Sequence, residues 1–177
     1  MIVCKEYNSP QGRITMAAEN GFLVGLWFDG QKYFMGTLKE LPTPGDDPVF
    51  AVAERWLDAY FAGKDPGPIP PVAPKGSEFR KAVWDILCAI PYGGTATYGE
   101  IAKALEKTTG KRQSAQAVGG AVGHNPISVI VPCHRVVGTN GSLTGYAGGV
   151  HIKRALLALE GVDVEQYTDP KHFNGPQ

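Results

Sequence analysis

Short apolar-rich runs open the chain. Residues 2–8 and 13–18 read as two strands joined at Ser9-Pro10-Gln11-Gly12, a tight turn. Phe22-Leu23-Val24-Gly25-Leu26-Trp27-Phe28 reads as a third, mostly apolar strand, closed by the turn signal Asp29-Gly30. The apolar spacing then becomes helical. Val49, Val52, Ala53, Trp56, Leu57 and Tyr60 predict a helix over residues 48–61, and Gly63 ends it. The prolines between residues 66 and 74 can neither continue a helix nor pair inside a sheet, so that stretch reads as an extended linker.

The pattern beyond the linker is mainly helical. Ser77 caps a predicted helix running to about Cys88, with Phe79, Val83, Ile86 and Leu87 on one face. Pro91-Tyr92-Gly93-Gly94 stops it. Thr97-Tyr98-Gly99-Glu100 fits a reciprocal capping box and opens a helix through Ile101, Ala102 and Leu105. A polar loop leads to a third helix from about Ser114 to Val122, built of small residues. Asn125-Pro126 breaks it, and the β-branched run Ile127-Ser128-Val129-Ile130-Val131 predicts a buried strand or extended segment. Gly138-Thr139-Asn140-Gly141 is a turn. The glycine-rich loop at residues 145–149 leads into a last helix from about His151 to Glu160.

The pattern therefore predicts an α+β protein. Its expected units are residues 1–72, residues 73–161 and a tail, 162–177, whose last dozen residues alone suggest disorder. An apolar share of 43% is ordinary for a globular chain. No apolar run is long enough to span a bilayer and the start lacks secretory-signal character, so a soluble cytoplasmic monomer is the expectation. The formal net charge is +0, but its distribution is uneven. Residues 1–72 hold 6 Lys/Arg against 9 Asp/Glu; residues 73–161 hold 10 against 5. The basic middle points to an anionic ligand or to scatter in surface charge.

Two short helices joined by a loop fit a helix-turn-helix, and equally a helical hairpin that only packs the core. The second offers Gln113 and Gln116 but no other base-reading side chain, so any nucleic-acid binding is expected to be weakly sequence-selective. Of the cysteines, Cys4 and Cys88 read as structural. Cys133 follows the predicted strand and precedes His134, the pairing a thiolate nucleophile needs. In an extended segment the two would point apart, so a bridging water would carry the proton. Glu160 is an available carboxylate to orient His134. No Cys or His spacing fits a metal site, and His124, His151 and His172 default to surface or loop roles.

Pro132-Cys133-His134-Arg135-Val136 resembles the active-site motif of the O6-alkylguanine-DNA alkyltransferases. Tyr98-Gly99-Glu100-Ile101-Ala102, Ala117-Val118-Gly119-Gly120-Ala121, Asn125-Pro126 and Gly145-Tyr146-Ala147-Gly148-Gly149 extend the similarity in order. The resemblance implies a ribonuclease-H-like first domain and a mostly helical second domain with a winged-helix-like helix-turn-helix. It implies irreversible, single-use alkyl transfer to Cys133 from a guanine flipped through the minor groove of duplex DNA. No cofactor is expected; some relatives hold a structural metal, but Cys4 lacks the other Cys and His ligands here, so no metal is expected either. His134, Glu160, Tyr98 and Asn125 join Cys133 in the chemistry. Tyr98, Ser114, Ala115, Gln116, Gly119 and Arg135 meet DNA, and Val136, Tyr146, Ala147 and Gly148 line the base pocket.

Many relatives carry an intercalating arginine where this chain has Gln116. Two rival readings stand beside transfer: a lesion-binding module without repair activity, and a cysteine hydrolase using Cys133 and His134.

Overall fold

The three opening strands form and pair in chain order. In the computed structural model, which describes residues 1–170, β1 (Val3–Ser9), β2 (Gly12–Glu19) and β3 (Phe22–Phe28) make an antiparallel meander. The β2–β3 turn places Asn20 at φ 52° and Gly21 at φ 83°, the left-handed pair that a two-residue hairpin requires. β4 (Thr43–Pro44) pairs parallel with Val3 and Cys4, giving the order β3-β2-β1-β4. Residues 171–177, including His172 and the end of the predicted tail, lie outside the described residues.

Helix α1 (Pro48–Phe61) starts where Asp47 accepts a hydrogen bond from the Val49 amide and Pro48 presets the first turn. It buries Val49, Phe50, Ala53, Trp56, Leu57 and Tyr60. Val52 does not join them: at helical spacing it falls to the side of the stripe that Phe50 widens in the opposite direction, and it is exposed. The proline-rich stretch is extended, as predicted, but anchored. Leu23 donates to Pro71 O and accepts from Ala73 N, so Val72 pairs along the free edge of β3.

The second half is mostly helical: α2 (Glu78–Cys88), α3 (Tyr98–Thr109), α4 (Ala115–Gly123) and α5 (Val150–Leu159). Two short strands, β5 (Ala96–Thr97) and β6 (Val136–Val137), pair in parallel beside them. The architecture is α+β. Trp84 extends the buried face of α2, and its indole N–H donates to Ala121 O at 2.9 Å, tying α2 to α4. Thr97 caps α3 by accepting from the Glu100 amide. The box is not reciprocal through the backbone, because the Glu100 carboxylate meets the Thr97 hydroxyl instead.

α3 and α4 pack against each other across the loop that joins them. The turn at residues 138–141 forms, and the first part of the tail packs back on it through Leu143 N to Thr168 O and Thr168 N to Gly141 O. One buried cluster runs from Ile14, Leu26 and Tyr60 through Val83, Ile101 and Val118 to Cys133 and Leu156, so the two halves share a core. Among the described residues no helix is long and apolar enough to cross a membrane.

Candidate active site

Every residue from 125 to 137 is buried, yet the segment is not the strand its β-branched run predicts. Ile127 pairs with Leu26 for a single bridge. The backbone then turns, with Val131 N bonded to Ile127 O and Val129 held at φ 69°. A β-branched residue there costs about 1–3 kcal/mol, so surrounding bonds must impose the conformation. Asn125 supplies them. Its Oδ1 accepts from Ile127 N at 3.0 Å, and its Nδ2 donates to Val131 O at 2.8 Å and Ile127 O at 3.3 Å. The asparagine staples the turn that presents the next residues.

Those residues are a single turn of 3-10 helix, Cys133–Arg135, and not the end of a strand. Successive side chains are about 120° apart there, so Cys133, His134 and Arg135 point three ways. Cys133 is 5% exposed. Burial pushes its thiol up, against the opposite pull of the Asn125 amide and the Lys153 ammonium.

His134 has no exposed surface and meets Glu160 Oε2 through Nε2 at 2.5 Å. Glu160 caps the end of α5, and Gly161 at φ 86° turns the chain away behind it. The carboxylate collects four donors: His134 Nε2 and Tyr60 Oη on Oε2, Arg135 Nε at 2.7 Å and Gly93 N at 3.0 Å on Oε1. Burial raises its pKa, but these donors outweigh burial and bring it to about 2. The anion fixes the tautomer of His134: Nε2 carries the proton and Nδ1 keeps its lone pair. Nδ1 is buried without a protein partner, and burial holds the ring below the usual histidine range.

A second hub lies at Thr144, just before the glycine-rich loop at residues 145–149. Thr144 O accepts from Tyr98 Oη and from Lys153 Nζ, each at 2.9 Å. Burial pushes Tyr98 up to about 12, so it stays a phenol and a donor. Gly145 must lack a side chain, because a Cβ would sit 2.6 Å from the Tyr98 hydroxyl. Gly148 is equally constrained by the Tyr146 ring at 2.7 Å. Tyr146 is buried edge-on to His134, with its hydroxyl unpartnered in the protein.

Ser114 caps α4, whose Ala115, Gln116 and Gly120 are exposed and whose Gly119 lies beside Tyr98. A groove of about 640 Å³ runs between Gln116 and Gly119 on one side and Asn140 and Gly145 on the other, with Tyr98 at its wall. A second cavity of about 400 Å³ shares Thr144 and Gly145 and is bounded by Tyr33, Gly123, Tyr146 and Ala147.

Comparison with known proteins gives this arrangement a lineage. Residues 2–67 match the 6-O-methylguanine DNA methyltransferase ribonuclease-like domain, and residues 78–162 match the DNA binding domain of the same family. The chain belongs to the 6-O-methylguanine DNA methyltransferase family.

A methylated-DNA–protein-cysteine methyltransferase of Methanosarcina acetivorans is 45% identical over 161 residues, 88% of this chain and 96% of that protein. One from Mycobacterium bovis is 44% identical over 160 residues, covering 90% and 93%. The crystal structure of Mycobacterium tuberculosis OGT in complex with DNA is similar with a TM-score of 0.76 at 40% identity, covering 93% of this chain and 94% of that one.

Within this family frame, the structure brings Cys133, His134, Glu160, Asn125, Tyr98 and Tyr146 into one neighbourhood. Val136, expected at the base pocket, is fully buried in β6. Arg135 is a correction. Expected at DNA, it is 7% exposed, with its guanidinium committed to Glu160 and, through Nη1, to Ile90 O at 2.8 Å.

Sequence reasoning missed Tyr60 and Lys153. Lys153 falls at helical spacing between apolar Ile152, Leu156 and Leu157, and that placement was the available signal that its ammonium is buried.

Proposed function

We propose that this protein repairs O6-alkylguanine in duplex DNA by moving the alkyl group irreversibly onto Cys133. The observation that carries the reading is the buried thiol one residue before a histidine whose Nε2 is locked by Glu160 and whose Nδ1 lone pair is free. The damaged base is flipped through the minor groove past the small residues of α4, where Gly120 has open space around it, into the cavity bounded by Tyr146 and Ala147, with Gly148 next along the same loop. Ser114, Ala115, Gln116 and Gly119 hold the duplex, and a single chain suffices.

In the transfer, His134 Nδ1 takes the thiol proton through a bridging water. The Cys133 sulfur then forms a bond to the alkyl carbon as the carbon–O6 bond breaks, its electron pair staying on guanine. Tyr98 donates a hydrogen bond to the departing base, exchanging its present acceptor, Thr144 O. The product is a thioether that water does not cleave, so each molecule acts once.

Incubation with a duplex containing O6-methylguanine, followed by mass spectrometry, tests this. One methyl group per protein is expected, on Cys133 and on neither Cys4 nor Cys88. Tight DNA binding by protein that stays unmodified, or many products per protein, would overturn the reading.

Gln116 should limit this chain. A glutamine at the exposed start of α4 can bond to an orphaned base but cannot stack as a cation or offset phosphate charge. Exposed Lys107, Lys111 and Arg112 lie just before it and supply only diffuse attraction. Gln116→Arg is expected to raise the single-turnover rate on duplex a few-fold, the equivalent of ~1 kcal/mol. Unchanged affinity and rate would remove the intercalating role from this position.

A further inference from the structure

The carboxylate that orients His134 is held partly from the other half of the chain. Tyr60 lies in the last turn of α1, within the ribonuclease-like half, and has no exposed surface. Its ring stacks on Trp56 and meets Phe61 and Tyr92 edge-on. Its hydroxyl donates to Glu160 Oε2 at 2.7 Å, and His134 Nε2 bonds to that same oxygen. The phenol oxygen and Nε2 are 3.4 Å apart, two donors converging on one acceptor.

We propose that Tyr60 is a positioning residue for alkyl transfer: by filling the second lone pair of Glu160 Oε2, it sets the placement and basicity of His134. The proposal rests on the reading of Cys133 as the alkyl acceptor.

The Glu160 carboxylate is saturated with donors. A carboxylate has about four acceptor directions. Arg135 and Gly93 fill those of Oε1, and Tyr60 leaves His134 only one direction on Oε2. The phenol also draws charge from that oxygen, which weakens its hold on an imidazolium. His134 therefore rests neutral, with Nδ1 ready to receive a proton.

Every other group facing the pair acts around this core. Arg135 and Lys153 disfavour a second positive charge on His134, while Cys133, Tyr92 and Tyr146 border it without bonding to Glu160. Burial and the Glu160 charge push the ionisation of Tyr60 far above physiological pH, so it remains a donor throughout the working range. The ribonuclease-like half thus completes the proton relay as well as packing against it.

Tyr60→Phe removes the hydroxyl and keeps the ring. The acidic limb of the single-turnover transfer profile is expected to move to higher pH. The rate at pH 6 should fall roughly tenfold, the worth of one hydrogen bond to a charged group, and change far less at pH 8. Affinity for duplex should not change. The ¹⁵N titration of His134 in the DNA-free protein should shift in the same direction, a readout that loosened packing would not move.

An unchanged rate profile together with an unchanged ¹⁵N titration would overturn the proposal. So would a wild-type His134 protonated at Nδ1, a measurement that needs no variant to fold. Failure of the wild type to accept methyl would sink the transfer reading instead, and the ¹⁵N data would still decide the role of Tyr60.

Discussion

Glu160→Gln should cost this protein both its fold stability and its reactivity. The glutamine has the shape of glutamate but offers one acceptor oxygen to four donors. If the oxygen stays with Arg135 and Gly93, the amide N–H faces His134 and Tyr60. His134 must then accept at Nε2 and carry its proton on Nδ1, so the base is lost. In either orientation Arg135, its side chain 8% exposed, loses its counter-charge, and if the amide N–H faces it the guanidinium loses its acceptor as well. Breaking a buried pair in this way costs about 3–5 kcal/mol. The transfer rate should fall roughly a hundredfold, the lower range for a lost general base. A free thiol is already partly ionised at neutral pH, but burial raises Cys133, so the relay contributes more here than it would at an exposed cysteine.

The pH dependence has a definite sign. Glu160 has a folded pKa of about 2 against an ordinary 4.5, so its stabilising effect is complete above the unfolded value. That effect is lost as pH falls through the folded value. His134 adds to the same trend. Its pKa is lowered from 6.5 on folding, so the unfolded chain takes up the proton first as the medium acidifies. Urea unfolding at pH 7 should separate wild type from Glu160→Gln widely, and the gap should narrow between pH 4.5 and about 2. Equal stability and equal transfer rates at pH 7 would show that the four-donor network does not carry the site.

Much of this was legible in the chain. The meander, the capped helices and the break at Asn125-Pro126 follow from local chemistry that tertiary contacts did not override. The strands β4, β5 and β6 are two residues each, too short for any periodicity. Residues 127–131 misled for a physical reason. β-branched side chains favour extended backbone, but Asn125 and the edge of β3 force a turn that puts Val129 in the left-handed region.

The proposed nucleophile and its proposed carboxylate could be named from motif order. Their holders could not. Tyr60 reads as one more aromatic on an apolar stripe, because its hydroxyl partner lies 100 residues away. Arg135 is expected at DNA from the resemblance until the 3-10 turn directs it at Glu160.

Lys153 should matter through charge alone. It has no exposed surface, its Nζ bonds Thr144 O, and burial lowers its pKa to about 8 against the pull of Cys133. At neutral pH it is a buried cation close enough to favour the Cys133 thiolate.

Lys153→Met keeps most of the volume and removes the charge. Thr144 O retains the Tyr98 hydroxyl as a donor, so no orphaned carbonyl follows. The variant should therefore be no less stable than wild type at pH 7, and any gain should vanish as pH rises from about 8 toward 10.5, where the folded and unfolded lysines both lose their protons. Reactivity should move the other way. Alkylation of Cys133 by neutral iodoacetamide should begin at higher pH, and single-turnover methyl transfer at pH 7 should slow roughly tenfold. The deficit should shrink above pH 8, where wild-type Lys153 is itself uncharged. A variant whose thiol titrates like wild type would show that the ammonium serves only to hold the pocket loop, and that the thiolate draws its support from Asn125 and the neighbouring backbone amides.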